Sequence, residues 1–185
     1  GGEPQDLKFD HDSDGAGVTV GDRNIIREGS TIHRATGDEP TSLGSDNYLM
    51  VNAHLAHDCH VGNSVMMANN AVLAGHVRIA DNVIIGGNAA VHQFCRLGRM
   101  SFLAGIRAVN KDVPPFCLVY NTRKISGLNL VGLRRAGLRD HVGPLKQAFE
   151  AFFCKGHTNA NALQAIDALD VADDPIVREF TDFIR

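Results

Sequence analysis

Three histidines and an aspartate crowd into nine residues, Asn52-Ala53-His54-Leu55-Ala56-His57-Asp58-Cys59-His60, and two further histidines follow at His76 and His92. Imidazoles titrate nearest to neutral pH, so such a cluster offers either metal ligands or acid–base groups. A metal needs ligands that converge. His54, His57 and His60 sit three apart in a segment whose apolar residues recur every six, so their side chains diverge and no metal is expected. The acid–base reading is stronger. Asp58 follows His57 directly and could hold its ring in the tautomer that leaves the other nitrogen free to take a proton. A base of this kind, with an N–H donor for a developing oxyanion, needs no Ser or Cys nucleophile and suits direct attack of a hydroxyl on a thioester.

The elements that must position these groups follow from the period of six. Aliphatic residues or Met recur without a slip at Leu43, Leu49, Leu55, Val61, Met67, Leu73, Ile79, Ile85, Val91, Leu97, Leu103 and Val109. Small or β-branched residues follow four positions later (Ala53, Cys59, Val65, Ala71, Val77, Val83, Ala89), so each hexad points one aliphatic and one small residue inward. This fits neither an α-helix nor long strands. It fits short strands joined by tight corners in a solenoid with three faces and 18 residues per coil, giving four coils over residues 43–114. Val20, Ile26 and Ile32 keep the spacing upstream, and the extra residues before Leu43 predict an inserted loop around Ala35–Thr41. Residues 18 apart stack at about 4.8 Å. His57, Gly75 and Gln93 therefore share one column, flanked by His76 and His92, with glycine allowing close approach.

The hexads stop beyond Pro114-Pro115. From about Leu138 the spacing turns helical, with stripes at Leu145, Ala148, Phe149, Phe152 and Phe153, then Leu163, Ile166 and Leu169, then Ile176, Phe180 and Phe183, broken at Gly156 and Pro175. These stripes read as packing for a helical tail that caps the solenoid. The organisation is thus a β-helix over 1–120 and a helical domain over 121–185. The opening residues enter the pattern late, which predicts further coils upstream of this chain.

Composition narrows the function classes. Lys plus Arg total 18 against 21 Asp plus Glu, a net charge of -3, so no basic field suggests nucleic acid. No apolar run approaches the roughly 20 residues of a membrane span. The four cysteines (Cys59, Cys95, Cys117, Cys154) lie far apart, which suits a reducing compartment, and a cytoplasmic enzyme without stable membrane insertion is expected.

NAHLAHDCHVGN, ANNAVLAGHV, IIGGNAAVHQFCRLG and DVPPF, with PQDLKF at the start and GLNLVGLRRAG after the coils, resemble the UDP-N-acetylglucosamine O-acyltransferases of lipid A biosynthesis over nearly the whole chain. The resemblance implies a left-handed parallel β-helix, a homotrimer with sites between subunits, and transfer of an (R)-3-hydroxyacyl group from acyl carrier protein to the 3-hydroxyl of UDP-N-acetylglucosamine. No cofactor is implied beyond the donor thioester. It gives His57 the role of general base, Asp58 that of its orienting partner and Gly75 that of backbone donor to the oxyanion. His54, His76, His92 and Gln93 match substrate-contacting positions, Gln5, Asp6 and Lys8 match residues near the sugar nucleotide, and Asn129 and Arg135 match nucleotide and phosphate contacts. Val131 departs from the acidic residue often found there. Gly105 matches a hydrocarbon ruler, two to three coils or roughly 13 Å along the axis from His57. Arg96, Arg99, Arg107, Arg123, Lys124, Arg134 and Arg135 are candidates to attract an acidic carrier protein. An N-acyltransferase of the same pathway, an acetyl-CoA-dependent acetyltransferase and an inactive scaffold are the competing readings.

Overall fold

A computed structural model describes residues 1–10, 16–121 and 124–185. Short parallel strands form three sheets that wrap one interior. The first stacks Val18–Val20, Thr41–Leu43, His60–Val61, Arg78–Ile79 and Arg96–Leu97. The second runs from Ile25–Ile26 through Tyr48–Leu49, Met66–Met67, Ile84–Ile85 and Phe102–Leu103 to Cys117–Val119, where Gly127–Leu128 joins antiparallel. The third stacks Thr31–Ile32, His54–Leu55, Val72–Leu73, Ala90–Val91 and Ala108–Val109.

Within this stack His60 pairs with Arg78 and Arg78 with Arg96, a register of 18 that repeats on every face. The four coils expected from Leu43 onward are present, preceded by one whose register is five residues longer, Val18 against Thr41. That slip is the inserted loop. The twelve periodic residues from Leu43 to Val109 are all at most 5% exposed, and Ala53, Cys59, Val65, Ala71, Val77, Val83 and Ala89 are fully enclosed beside them. Val20 and Ile26 keep the spacing yet stay exposed, because they line the open end of the stack. Burying one aliphatic side chain per hexad contributes roughly 1.5–3 kcal/mol each, and the repeat multiplies it.

The corners obey a second rule. Asp46, Asn52, Asp58, Ser64, Asn70, His76, Asn82, Asn88, Phe94, Met100 and Ile106 follow one another at six-residue intervals with φ between 55° and 66°. Asn and Asp tolerate this left-handed region best among residues with a side chain, and they hold six of the eleven places. Asp58 and His76 are thus corner residues whose backbone direction is set by the fold.

Helical structure begins earlier than Leu138. Helix α1 spans Leu130–Arg135, started by Asn129, whose Oδ1 accepts from the Gly132 N–H while its Nδ2 donates to the Met100 carbonyl. Six residues are too few to show a stripe. Helices α2 (Val142–Phe153), α3 (Asn159–Asp167) and α4 (Pro175–Ile184) follow the three apolar stripes. Leu145, Ala148, Ile166 and Phe180 join the same core as the last coil. Pro175 acts as the first residue of α4, where a missing N–H costs nothing, and Asp174 caps the helix through Ile176 N–H while accepting from His141. No helix among the described residues is long and apolar enough to cross a membrane.

Candidate active site

Each coil turns from the third sheet to the first at the corner that carries the histidine segment. His54 opens the strand on the third sheet, His57 and Asp58 form the corner, and His60 opens the strand on the first sheet. The three rings therefore point to three surfaces, as divergence along the segment predicts. His54 Nδ1 lies 2.7 Å from Thr31 Oγ1, its ring stands edge-on to His33 at 5.0 Å, and burial with the neighbouring His33 lowers its pKa. His60 Nδ1 lies 3.1 Å from Ser42 Oγ, outside the corner.

At the corner itself His57 Nδ1 is 2.7 Å from Asp58 Oδ2. The His57 side chain is only 12% exposed and that of Asp58 11%. Burial pushes the Asp58 carboxyl up, but the Thr36 hydroxyl, His57 and the N–H groups of Thr36 and Gly37 outweigh it and hold the group below the usual carboxylate range. A carboxylate fixed in this state accepts from Nδ1–H and leaves His57 Nε2 with a free lone pair. Gly75 lies directly above. A Cβ built there would sit 2.6 Å from His57 Cε1 and 2.7 Å from Nε2, so only glycine lets the ring occupy this place. The Gly75 N–H has no hydrogen-bond partner among the described residues. His76, on the next coil, presents Nε2 at 3.7 Å from Asp58 Oδ2, stands edge-on to His57 at 5.2 Å and stacks on Phe94 at 4.7 Å.

His57, Asp58 and His76 offer three ligand atoms within 4.8 Å of one another. Both Asp58 oxygens, however, are already taken by hydrogen-bond donors, which is the environment of an orienting carboxylate. The thiols cannot substitute as nucleophiles. Burial pushes Cys59 up to about 12, raises Cys95 and Cys117 as well, and Cys154 lies exposed in the helical tail. The arrangement can take a proton from a hydroxyl at Nε2 and offer an N–H to an oxyanion.

A family described as UDP N-acetylglucosamine O-acyltransferase, domain 2, matches residues 112–185. The acyl-[acyl-carrier-protein]–UDP-N-acetylglucosamine O-acyltransferase of Anaeromyxobacter sp. (strain Fw109-5) is 42% identical over 98% of this chain and 71% of its own. That of Aliivibrio fischeri (strain MJ11) is 40% identical over 100% and 71%. The chain belongs to the UDP-N-acetylglucosamine O-acyltransferase family. Among solved structures of this family, LpxA from Acinetobacter baumannii superposes with a TM-score of 0.92 at 36% identity, covering 99% of this chain and 72% of its own. The Moraxella catarrhalis enzyme gives 0.92 at 40% identity, covering 100% and 72%. The solenoid is accordingly the family's left-handed parallel β-helix.

Against this frame the other sequence-derived positions divide. His57, Asp58, Gly75 and His76 come together. Gln93 continues the His57 column and His92 lies beside it, both exposed, with His92 Nδ1 turned to the Gln93 carbonyl at 3.2 Å. Gln5, Asp6 and Lys8 lie in the opening segment, where Asp6 Oδ1 accepts from the Lys8 N–H, and none is bonded to the His57 corner among the described residues. Asn129 spends its amide on capping α1 and on Met100, while Arg135 and Val131 are exposed on that helix.

Gly105 stands at a different corner from His57. It lies at the corner between the second and third sheets, above Gly87, whereas His57 lies between the third and first. The 48 residues between them are two coils and two further faces, in keeping with the expected height but ending at a different corner. A chain running from His57 to Gly105 within one subunit must cross the third sheet, whose outward residues are His54, Val72, Ala90 and Ala108.

The cationic patch also shrinks. Arg99 is held bidentately by Glu179 at 2.7 and 2.8 Å and stacks on Phe116, so it fastens α4 to the coils. Arg96 binds Asp112 and the Phe183 carbonyl, and Arg107 binds the Tyr120 and Ile106 carbonyls. Arg123 falls outside the described residues. Lys124, Arg134 and Arg135 remain exposed. Thr36 is the site residue that the spacing of histidines could not reveal; the five-residue slip before Leu43 was its only signal in the sequence.

Proposed function

We propose that this chain moves an (R)-3-hydroxyacyl group from acyl carrier protein to the 3-hydroxyl of UDP-N-acetylglucosamine, the opening reaction of lipid A biosynthesis in the cytoplasm. The observation that carries the reading is the His57–Asp58 pair at 2.7 Å with Gly75 above the ring. His57 Nε2 takes the proton of the sugar hydroxyl as its oxygen attacks the thioester carbonyl. The Gly75 N–H faces the oxyanion. When the C–S bond breaks, the imidazolium returns the proton to the leaving thiolate, so atoms balance without a covalent enzyme intermediate and without a cofactor. His54, His76, His92 and Gln93 line the acceptor and donor, and Arg135 pairs with phosphate. An acyl-transfer assay with purified protein separates this from the nearest alternative: product from 3-hydroxyacyl carrier protein and none from acetyl-CoA is expected, and the reverse would assign the chain to the acetyl donors.

A homotrimer with sites between subunits belongs to the same reading. His57 itself is largely covered, but His76 is only half-buried and His92 and Gln93 beside it face solvent, and a cleft of about 840 Å³ lies elsewhere, between the last coil and the helices near Lys111, Val113, Phe152 and Phe183. A second wall is needed to exclude water and confine substrate. The second sheet presents Ile25, Tyr48, Met66, Ile84, Phe102 and Leu118 outward in one register, an apolar ladder suited to burial against another copy. Light scattering should give a trimer, and an active monomer would contradict it.

Gly105 would then set the length of the transferred chain. Its φ is not in the left-handed region, and an added Cβ would meet the Gly87 backbone, the carbonyl oxygen at 3.0 Å and the nitrogen at 3.5 Å, so a side chain at this exposed corner needs that backbone to give by a few tenths of an ångström. Gly105→Met is expected to shift preference from a tetradecanoyl-class to a decanoyl-class donor, read by competition among carrier-protein thioesters. An unchanged length profile would leave Gly105 as a corner residue.

A further inference from the structure

The inserted loop between Ile32 and Thr41 is where the register lengthens from 18 residues to 23, and its five additional residues fold back over the histidine corner. The loop is tied down on both sides. Arg34 N–H donates to Gly2, Ala35 N–H to Gly17, and the Gly37 carbonyl accepts from Ala16 N–H. Ala35 is fully buried. Between these anchors Thr36 aims three contacts at one carboxylate: its hydroxyl donates to Asp58 Oδ2 at 2.7 Å, and its N–H approaches Oδ1 and Oδ2 at 3.1 and 3.2 Å. Gly37 N–H adds a longer bond to Oδ1 at 3.3 Å.

Asp58 needs this hold for a geometric reason. Its backbone is fixed in the left-handed region at φ 59°, with its N–H given to Thr41 Oγ1, so only the side-chain torsions decide where the carboxylate goes. Two imidazoles compete for the same oxygen, His57 Nδ1 at 2.7 Å and His76 Nε2 at 3.7 Å. The Thr36 hydroxyl meets that oxygen on the His57-bonded conformer. We propose that Thr36 is a positioning residue for the transfer reaction, holding the Asp58 carboxylate on His57 rather than His76 and thereby fixing the His57 tautomer. The proposal rests on the reading of His57 as base.

The test compares Thr36→Val, which keeps the backbone N–H and the side-chain shape but removes the hydroxyl, with Thr36→Ser, which restores it. Both are made in the full chain and assayed with 3-hydroxyacyl carrier protein and UDP-N-acetylglucosamine, alongside ¹⁵N NMR of histidine-labelled protein. Thr36→Val should lower kcat roughly tenfold with KM little changed, by analogy with losing the hydrogen-bond partner behind a metal-bound histidine. Its His57 signals should move from the Nδ1–H form toward a mixture of tautomers. Thr36→Ser should recover both. An equal loss in the two variants with unchanged His57 signals would make Thr36 merely structural and overturn the proposal. A shifted tautomer with undiminished kcat would instead break the base reading on which it rests, an outcome that His57→Ala checks independently.

Discussion

His57→Ala is expected to lower turnover by about 10²- to 10⁴-fold while the protein stays folded. On the proposed mechanism the variant lacks the nitrogen that would take the hydroxyl proton. The fold should survive because the ring lies on a corner, packed on Gly75, whereas the inward positions of this coil belong to Leu55 and Cys59. Turnover with the carrier-protein donor and a thermal melt together decide the matter. A folded variant with near-normal turnover would remove the mechanism.

Gly75→Ala should be nearly as damaging, by displacing the base instead of deleting it. The new Cβ would fall 2.6 Å from His57 Cε1, well inside van der Waals contact, so the ring or the coil must move. The Gly75 backbone is outside the left-handed region, so alanine fits the chain there. The ring is the part free to rotate. A shift of about 1 Å in a catalytic group costs on the order of 10²-fold in rate. The signature is a fall in kcat with a melting temperature close to the parent's; undiminished turnover would mean that the position of the ring over Gly75 is immaterial.

How far the sequence reaches is visible in particular residues. A solenoid writes the same inward pattern twelve times, so Leu43 to Val109 declared the period, and the period alone places His57 under Gly75. Asp58 was legible because it adjoins His57 in the chain. Thr36 was not, since it reaches Asp58 from 22 residues away through an insertion that breaks the repeat. The six-residue helix Leu130–Arg135 escaped for want of length, and with it the capping role of Asn129. Arg99 and Arg96 were candidates for a docking patch because two of their partners, Glu179 and the Phe183 carbonyl, lie on a helix 80 or more residues downstream whose docking no local pattern encodes. Gly105 shows the remaining gap: stacking arithmetic gives height along the axis, and the corner must be counted separately.

The proposed transfer takes one step, with His57 lending a base and no side chain carrying the acyl group. Intact-mass measurement of the protein after incubation with 3-hydroxyacyl carrier protein alone, then with UDP-N-acetylglucosamine added, tests this most directly. The predicted result is an unmodified protein mass in both samples, with free carrier-protein thiol and acylated sugar nucleotide appearing only when the acceptor is present. A protein mass raised by one acyl group in the sample without acceptor, discharged when the acceptor is added, would contradict it.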